Sequence, residues 1–147
     1  MALTRANAEV ILIRRVGALL TAADLDGTTV DGTNVDLNDP IASALRQLGY
    51  TVASAVLVAD TDLDDLAAAD YNAFFDLAEL RAKKNILGNL TLVDITAGPR
   101  SECLSQLAEQ LRKDIDALQE DIKTDYNIGV GTLEAGIVTL DFMEKDE

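Results

Sequence analysis

The stretch Asp70–Asn89, DYNAFFDLAELRAKKNILGN, decides the fold. Its first half is apolar at Tyr71, Ala73, Phe74, Phe75, Leu77, Ala78 and Leu80, with Asn72, Asp76 and Glu79 the interruptions within that run. A helix that is apolar most of the way round needs neighbours on several sides. It therefore reads as the central helix of a small bundle on which the rest of the chain packs. Glu79 and Lys83 form a well-ordered i,i+4 pair. Arg81, Lys83 and Lys84 are expected toward its C-terminal end, where cations suit the helix dipole. Gly88-Asn89 supplies the expected stop, and Leu90 to Thr96 follows as a short extended connection.

Upstream, residues 4 to 23 read as a first helix capped by Thr4. Its apolar face is wide: Val10, Ile11, Leu12, Ile13, Val16, Leu19 and Leu20. Arg5 and Glu9 make an i,i+4 pair in the less favourable order. Arg14 and Arg15 face outward or toward an acidic neighbour. Residues 24–39 form an acidic loop with two Asp-Gly turn signals and room for a short hairpin. Its D-x-D and Asp-Gly elements invite a calcium reading, but the twelve-residue pattern with a terminal glutamate is absent, so it reads as an exposed acidic turn. Asp39 then caps, and Pro40 opens, a helix to Leu48 that Gly49 ends. Thr51 to Ala59, rich in valine and alanine, reads as extended. Thr61 caps a short acidic turn, Asp62 to Ala68, with Leu63 and Leu66 inward.

Downstream, Ser101 caps the longest helix, about Glu102 to Tyr126. Leu104, Ala108, Leu111, Ile115, Leu118 and Ile122 recur at alternating spacings of four and three, a heptad seam that Leu107 widens. Its first half is expected to pack on the central helix and its second half to project. The last stretch carries Gly129, Gly131 and Gly136, which disfavour helix. Ile137, Val138, Leu140 and Phe142 make it an apolar arm, alternating at Val138, Leu140 and Phe142, that can lie back on its own bundle or add to a neighbour's surface; in the assembled particle it is expected to be buried against another chain. The fold class is therefore all-α: a small helical bundle over residues 1–126 with a long C-terminal helix, and an extended C-terminal arm over residues 127–147.

The chain has 147 residues, 26 acids against 12 bases and a formal charge of −14. Phosphate contacts need lysine and arginine, so this balance disfavours binding to nucleic acid or anionic membranes. Histidine and tryptophan are absent, which removes the usual general base and any tryptophan stacking platform. One cysteine, Cys103, allows no intrachain disulfide and reads as a half-buried core residue. No nucleotide loop, zinc pattern or catalytic constellation occurs, and neither a signal peptide nor a membrane span is expected. The chain thus reads as a cytoplasmically made, non-enzymatic protein without metal or cofactor. Scaffold and interaction work remains.

The order of parts carries a resemblance. The helical N-terminus, the acidic loop, Asp39-Pro40, the Asp76-Leu77-Ala78-Glu79-Leu80-Arg81 stretch, the Gly98-Pro99-Arg100-Ser101 turn, the long helix and the Leu133-Glu134-Ala135-Gly136…Leu140-Asp141-Phe142 tail occur together. This layout resembles the head-to-tail adaptor, or head-completion, proteins of tailed bacteriophages. The resemblance implies a homo-oligomeric ring, typically twelve-fold, beneath the portal protein in the virion neck. Tail or neck proteins would be further partners, and genomic DNA would pass through the hole without specific binding. On that reading Asp24, Asp26, Asp31, Asp36, Asp62, Asp64 and Asp65 are candidates for the channel lining. Ile137, Val138, Leu140 and Phe142 are candidates for the arm interface. Another neck or tail-completion protein would look the same, and an acidic DNA-mimic inhibitor is the alternative from a different class.

Overall fold

The computed structural model describes residues 2–54, 56–97 and 101–127, with side chains described outside 91–97 and 101–104. It is an all-α bundle. Helices α1 (Arg5–Ala22), α2 (Asn38–Gln47), α3 (Asp60–Asp64), α4 (Tyr71–Ala97) and α5 (Ser101–Tyr126) follow in chain order, with one 3₁₀ turn at Ala68–Asp70 before α4. Among the described residues there is no strand. No helix among them is long and apolar enough to cross a membrane.

The central role of α4 is as the sequence implies: α5, α2 and α1 all pack against it. Phe74, Leu77, Ala78, Leu80, Ala82, Ile86 and Leu90 are all buried along its length, so its apolar residues are shared among three neighbours rather than gathered in one stripe. Phe74 and Phe75 meet edge to face, ring centres 5.0 Å apart, a favourable aromatic geometry. From α1 come Ala8, Leu12, Val16 and Leu20, and from α2 come Ile41, Ala44 and Leu45. Along α5 the heptad positions Ala108, Leu111, Ile115 and Ile122 are buried.

Several boundaries differ from expectation, each for a tertiary reason. Helix α4 does not stop at Gly88-Asn89 but continues to Ala97. A glycine inside a helix costs only about 1 kcal/mol, and Ile86 and Leu90 on either side are fully buried. The stretch after Leu90 is therefore helical rather than extended, and Arg81, Lys83 and Lys84 lie mid-helix. Asn89 is no cap; its side-chain amide donates to the carbonyl of Ala23. Asp39 is not the cap of α2, which begins at Asn38 without a side-chain cap; its carboxylate instead receives Arg81 and Asn85 of α4. Thr61 lies inside α3, and Asp62 takes the backbone N–H of Ala59 there.

Residues 24–37 are a turn-rich loop rather than a hairpin, with Asn38 and Asp39 already in α2, and the Thr51–Ala59 stretch, where described, is irregular. The far half of α5 does not project. Ile122 is fully buried, and Tyr126 donates its hydroxyl proton to Asp76 of α4 at 2.8 Å. Other expectations are met. Thr4 caps α1 by accepting from the Asn7 N–H. Gly49 follows α2 with φ +91°, the left-handed geometry glycine adopts freely. The Glu79–Lys83 pair forms at 2.9 Å. The arm residues Ile137, Val138, Leu140 and Phe142 lie outside the described residues, as does the side chain of Cys103.

Candidate functional site

The acidic loop is built on a buried ion pair at the start of α1. Arg5 and Glu9 stand one turn apart, 2% and 0% exposed, with Nε to Oε1 at 2.9 Å. A buried charge is tolerated only when its remaining hydrogen-bonding capacity is met, and here it is. Arg5 donates to the Asn34 carbonyl at 2.7 Å, the Val58 carbonyl at 3.1 Å and Asn38 Oδ1 at 3.0 Å. Glu9 accepts the backbone N–H groups of Gly32 at 2.8 Å and Asn34 at 3.0 Å. Asn34 is itself buried, donating to the carbonyls of Asp26 and Thr29 and accepting from the N–H groups of Asp36 and Leu37. The backbone N–H of Arg5 donates to Asp60 at 2.6 Å.

One side chain, Arg5, therefore ties together two acidic segments that are distant in sequence. The 24–34 part of the loop runs back along α1, close enough at Gly27 that a Cβ there would strike the Gly17 carbonyl oxygen. Gly32, at φ +93°, makes the turn that aims its N–H at Glu9.

The candidate lining residues fall into three groups. Asp26, Asp31 and Asp36 belong to the loop's own architecture. Hydrogen bonds from the Thr29 hydroxyl and from the N–H groups of Thr28 and Thr29 pull the Asp26 carboxyl down to about 2. The Thr33 hydroxyl and N–H lower Asp31 in the same way, and Asp36 accepts the Asp26 N–H at 2.8 Å. Asp62 holds the second segment, accepting from the N–H groups of Ala53 and Ala59. Asp24, Asp64 and Asp65 are exposed; Asp24 sits at the opposite end of α1 in a left-handed conformation, φ 63°. The arrangement is a carboxylate-bearing surface backed by the Arg5–Glu9–Asn34 hydrogen-bond network. No group of three or more His, Cys, Asp or Glu among the described residues is placed to hold a metal ion.

There are two further features; in the first, Arg15 meets the acidic neighbours the sequence allowed for, while the partners themselves and the second feature were not foreseen. The first is a node where α1, α4 and α5 meet. Arg15 bonds Asp76 at 2.9 Å and Glu79 at 3.0 Å, lies 5.8 Å from the Phe75 ring centre, and shares Asp76 with Tyr126. The Asp76 hydrogen bond pushes Tyr126 up to about 12. The second is an apolar groove of about 290 Å³ lined by Ala2, Leu3, Asn7, Val10, Ile11 and Tyr71. Its sequence signal is the excess width of the apolar face of α1: Val10 and Ile11 remain half-buried because α4 covers the side carrying Leu12 and Val16. A second depression, about 50 Å³ at Gln47, Leu77, Leu80, Arg81 and Lys84, has space for little more than water.

Comparison with protein-family models, with curated proteins and with solved structures finds no match to this chain.

Proposed function

We propose that the chain is a structural subunit of a tailed-bacteriophage neck. In this reading it is a head-to-tail adaptor that joins copies of itself into a ring, twelve-fold in the usual case, beneath the portal protein. It connects capsid to tail, and its acidic loop surface borders the channel. The observation that carries the reading is the Arg5 clip. It holds the 24–39 loop and the Val58–Asp62 segment on one support, and from Asp24 to Asp39 and from Tyr50 to Asp70 there are acids but no lysine or arginine. A fixed surface of carboxylates repels phosphates, so DNA can slide past without binding. Hydrogen bonds that keep Asp26 and Asp31 ionised support that role. The C-terminal stretch is then the element that contacts neighbours during assembly, and tail or neck proteins complete the partners.

Size-exclusion chromatography with light scattering, with and without purified portal protein, tests the reading. A ring-sized species, or co-elution with portal, is the expected result. A monomer or dimer indifferent to portal would overturn it. A DNA-mimic inhibitor is the second reading; acids concentrated in loops rather than spread along one face suit it less well, and it predicts a small oligomer bound to a nucleic-acid enzyme instead.

A further inference from the structure

We propose that the apolar groove between the N-terminal half of α1 and the start of α4 is the seat of the chain's own C-terminal stretch, with Val138, Leu140 and Phe142 as the side chains that fill it. The inference is independent of the adaptor reading. It rests on where the chain leaves the bundle. Arg15 bonds Asp76 and Glu79, and Asn89 bonds the carbonyl of Ala23, so α1 and α4 run in the same direction with their N-terminal ends together. Tyr126 bonds Asp76, so α5 runs the opposite way and finishes at that end. Asp76 is five residues from Tyr71, about 7.5 Å along the α4 axis at 1.5 Å per residue.

Helix α5 is also stopped sharply there. Asn127 adopts φ 54°, and its N–H donates to the Lys123 carbonyl at 3.1 Å. A left-handed residue after the last turn directs the chain off the helix axis. The nine residues 128–136 can span up to about 30 Å when extended, at ~3.3 Å each, which covers the width of a bundle of this size. Gly129, Gly131 and Gly136 are the glycines from Asn127 to Ile137, and they give the segment freedom to turn back.

The chemistry of groove and occupant matches. Five of the six lining residues, Ala2, Leu3, Val10, Ile11 and Tyr71, offer apolar surface. In an extended stretch Val138, Leu140 and Phe142 share one face, with Thr139 and Asp141 on the other. An open groove of about 290 Å³ has room for the phenyl ring and the two aliphatic side chains that share its face. Asn7 at the edge supplies an amide able to pair with extended backbone. A short tether sets an effective concentration near millimolar, so the chain's own arm outcompetes a second copy's in dilute solution. In a crowded ring the same contact can be exchanged between copies, as in domain swapping.

The test uses the full-length chain in two measurements. In the first, methyl and aromatic NMR spectra of the wild type are compared with those of Val138→Asp/Phe142→Asp, whose positions follow α5 in the sequence. Signals of Leu3, Val10, Ile11 and Tyr71 should shift while those of Leu45 and Ile122 stay in place. In the second, a Cys103→Ser chain carrying Asn7→Cys and Leu140→Cys, which leaves Val138 and Phe142 on the groove face, is oxidised at low micromolar concentration. A fast-migrating, internally linked monomer on a non-reducing gel is expected. Unmoved groove signals, or a covalent dimer as the sole linked product, or no link at all, would overturn the proposal.

Discussion

Arg5 and Glu9 stand one helical turn apart on α1, paired at 2.9 Å and both inaccessible to solvent. The pair shows in the sequence only as an i,i+4 contact in the less favourable order. Its place in the interior makes it the support of the acidic surface rather than an ornament of the helix.

Glu9→Gln keeps the shape but leaves the Arg5 guanidinium without its counter-charge. Breaking a buried pair from one side costs about 3–5 kcal/mol, and chemical denaturation should show a loss of that size. Amide exchange at Gly32 and Asn34, whose N–H groups end on Glu9, should accelerate more than exchange in α5. A loss below about 1 kcal/mol, the value of an exposed pair, would mean that the network is not closed as described.

Two substitutions on α4 should have opposite signs. Phe74 is fully buried, and Phe74→Ala should cost about 3–5 kcal/mol. Gly88 is exposed and helical, and a Cβ added there would meet nothing within 4 Å, so Gly88→Ala should stabilise by about 1 kcal/mol. Thermal melts of both variants check the pair. A destabilised Gly88→Ala would show that the helix does not run through that residue.

Tyr126 loses its proton less readily in the folded chain because Asp76 accepts it. Its hydrogen bond therefore contributes fully below the ordinary tyrosine value of 10 and is lost as pH rises through about 12. Ultraviolet titration of tyrosinate should show a transition near 12 that disappears in Tyr126→Phe. If that substitution removes no late transition, α5 is not anchored to α4 by this bond.

Asp26 behaves oppositely. Its carboxyl is lowered from 3.8 to about 2 by the hydrogen bonds from Thr29 and Thr28. The support it gives the loop is present above 3.8 and lost as pH falls through about 2. Carboxyl-carbon NMR should place its midpoint near 2, and Asp26→Asn should remove that late transition and loosen the amides of Thr28 and Thr29.

Duplex DNA should not bind the chain with micromolar affinity at physiological salt, given its net charge of −14. Reversing Asp24, Asp64 and Asp65, which are exposed and outside the Arg5 network, to lysine should create measurable, salt-sensitive retention of DNA in a gel shift. Unchanged behaviour of that variant would remove these positions from the channel-facing set.

The sequence by itself determined the helical class, the central place of the Phe74–Leu80 stretch, the Thr4 cap, the Gly49 stop and the buried seam of α5. These follow from periodicity and local backbone chemistry, which act over one or two turns and are written in neighbouring residues. It also exposed the acidic runs, since charge is a property of composition. Only the tertiary structure decided that Gly88-Asn89 is passed through, because a penalty of about 1 kcal/mol is outweighed by burying Ile86 and Leu90 against other elements. Only it decided that Asp39 answers Arg81 instead of capping α2, and that Arg5 and Glu9 are interior, because their partners lie 23 to 53 positions away. The groove at Val10, Ile11 and Tyr71 was legible only as an apolar face wider than one neighbour needs. Which part of that face stays uncovered depends on how α4 lies across α1, a relation between segments some sixty residues apart, as Arg15 and Asp76 are, and no local pattern encodes it.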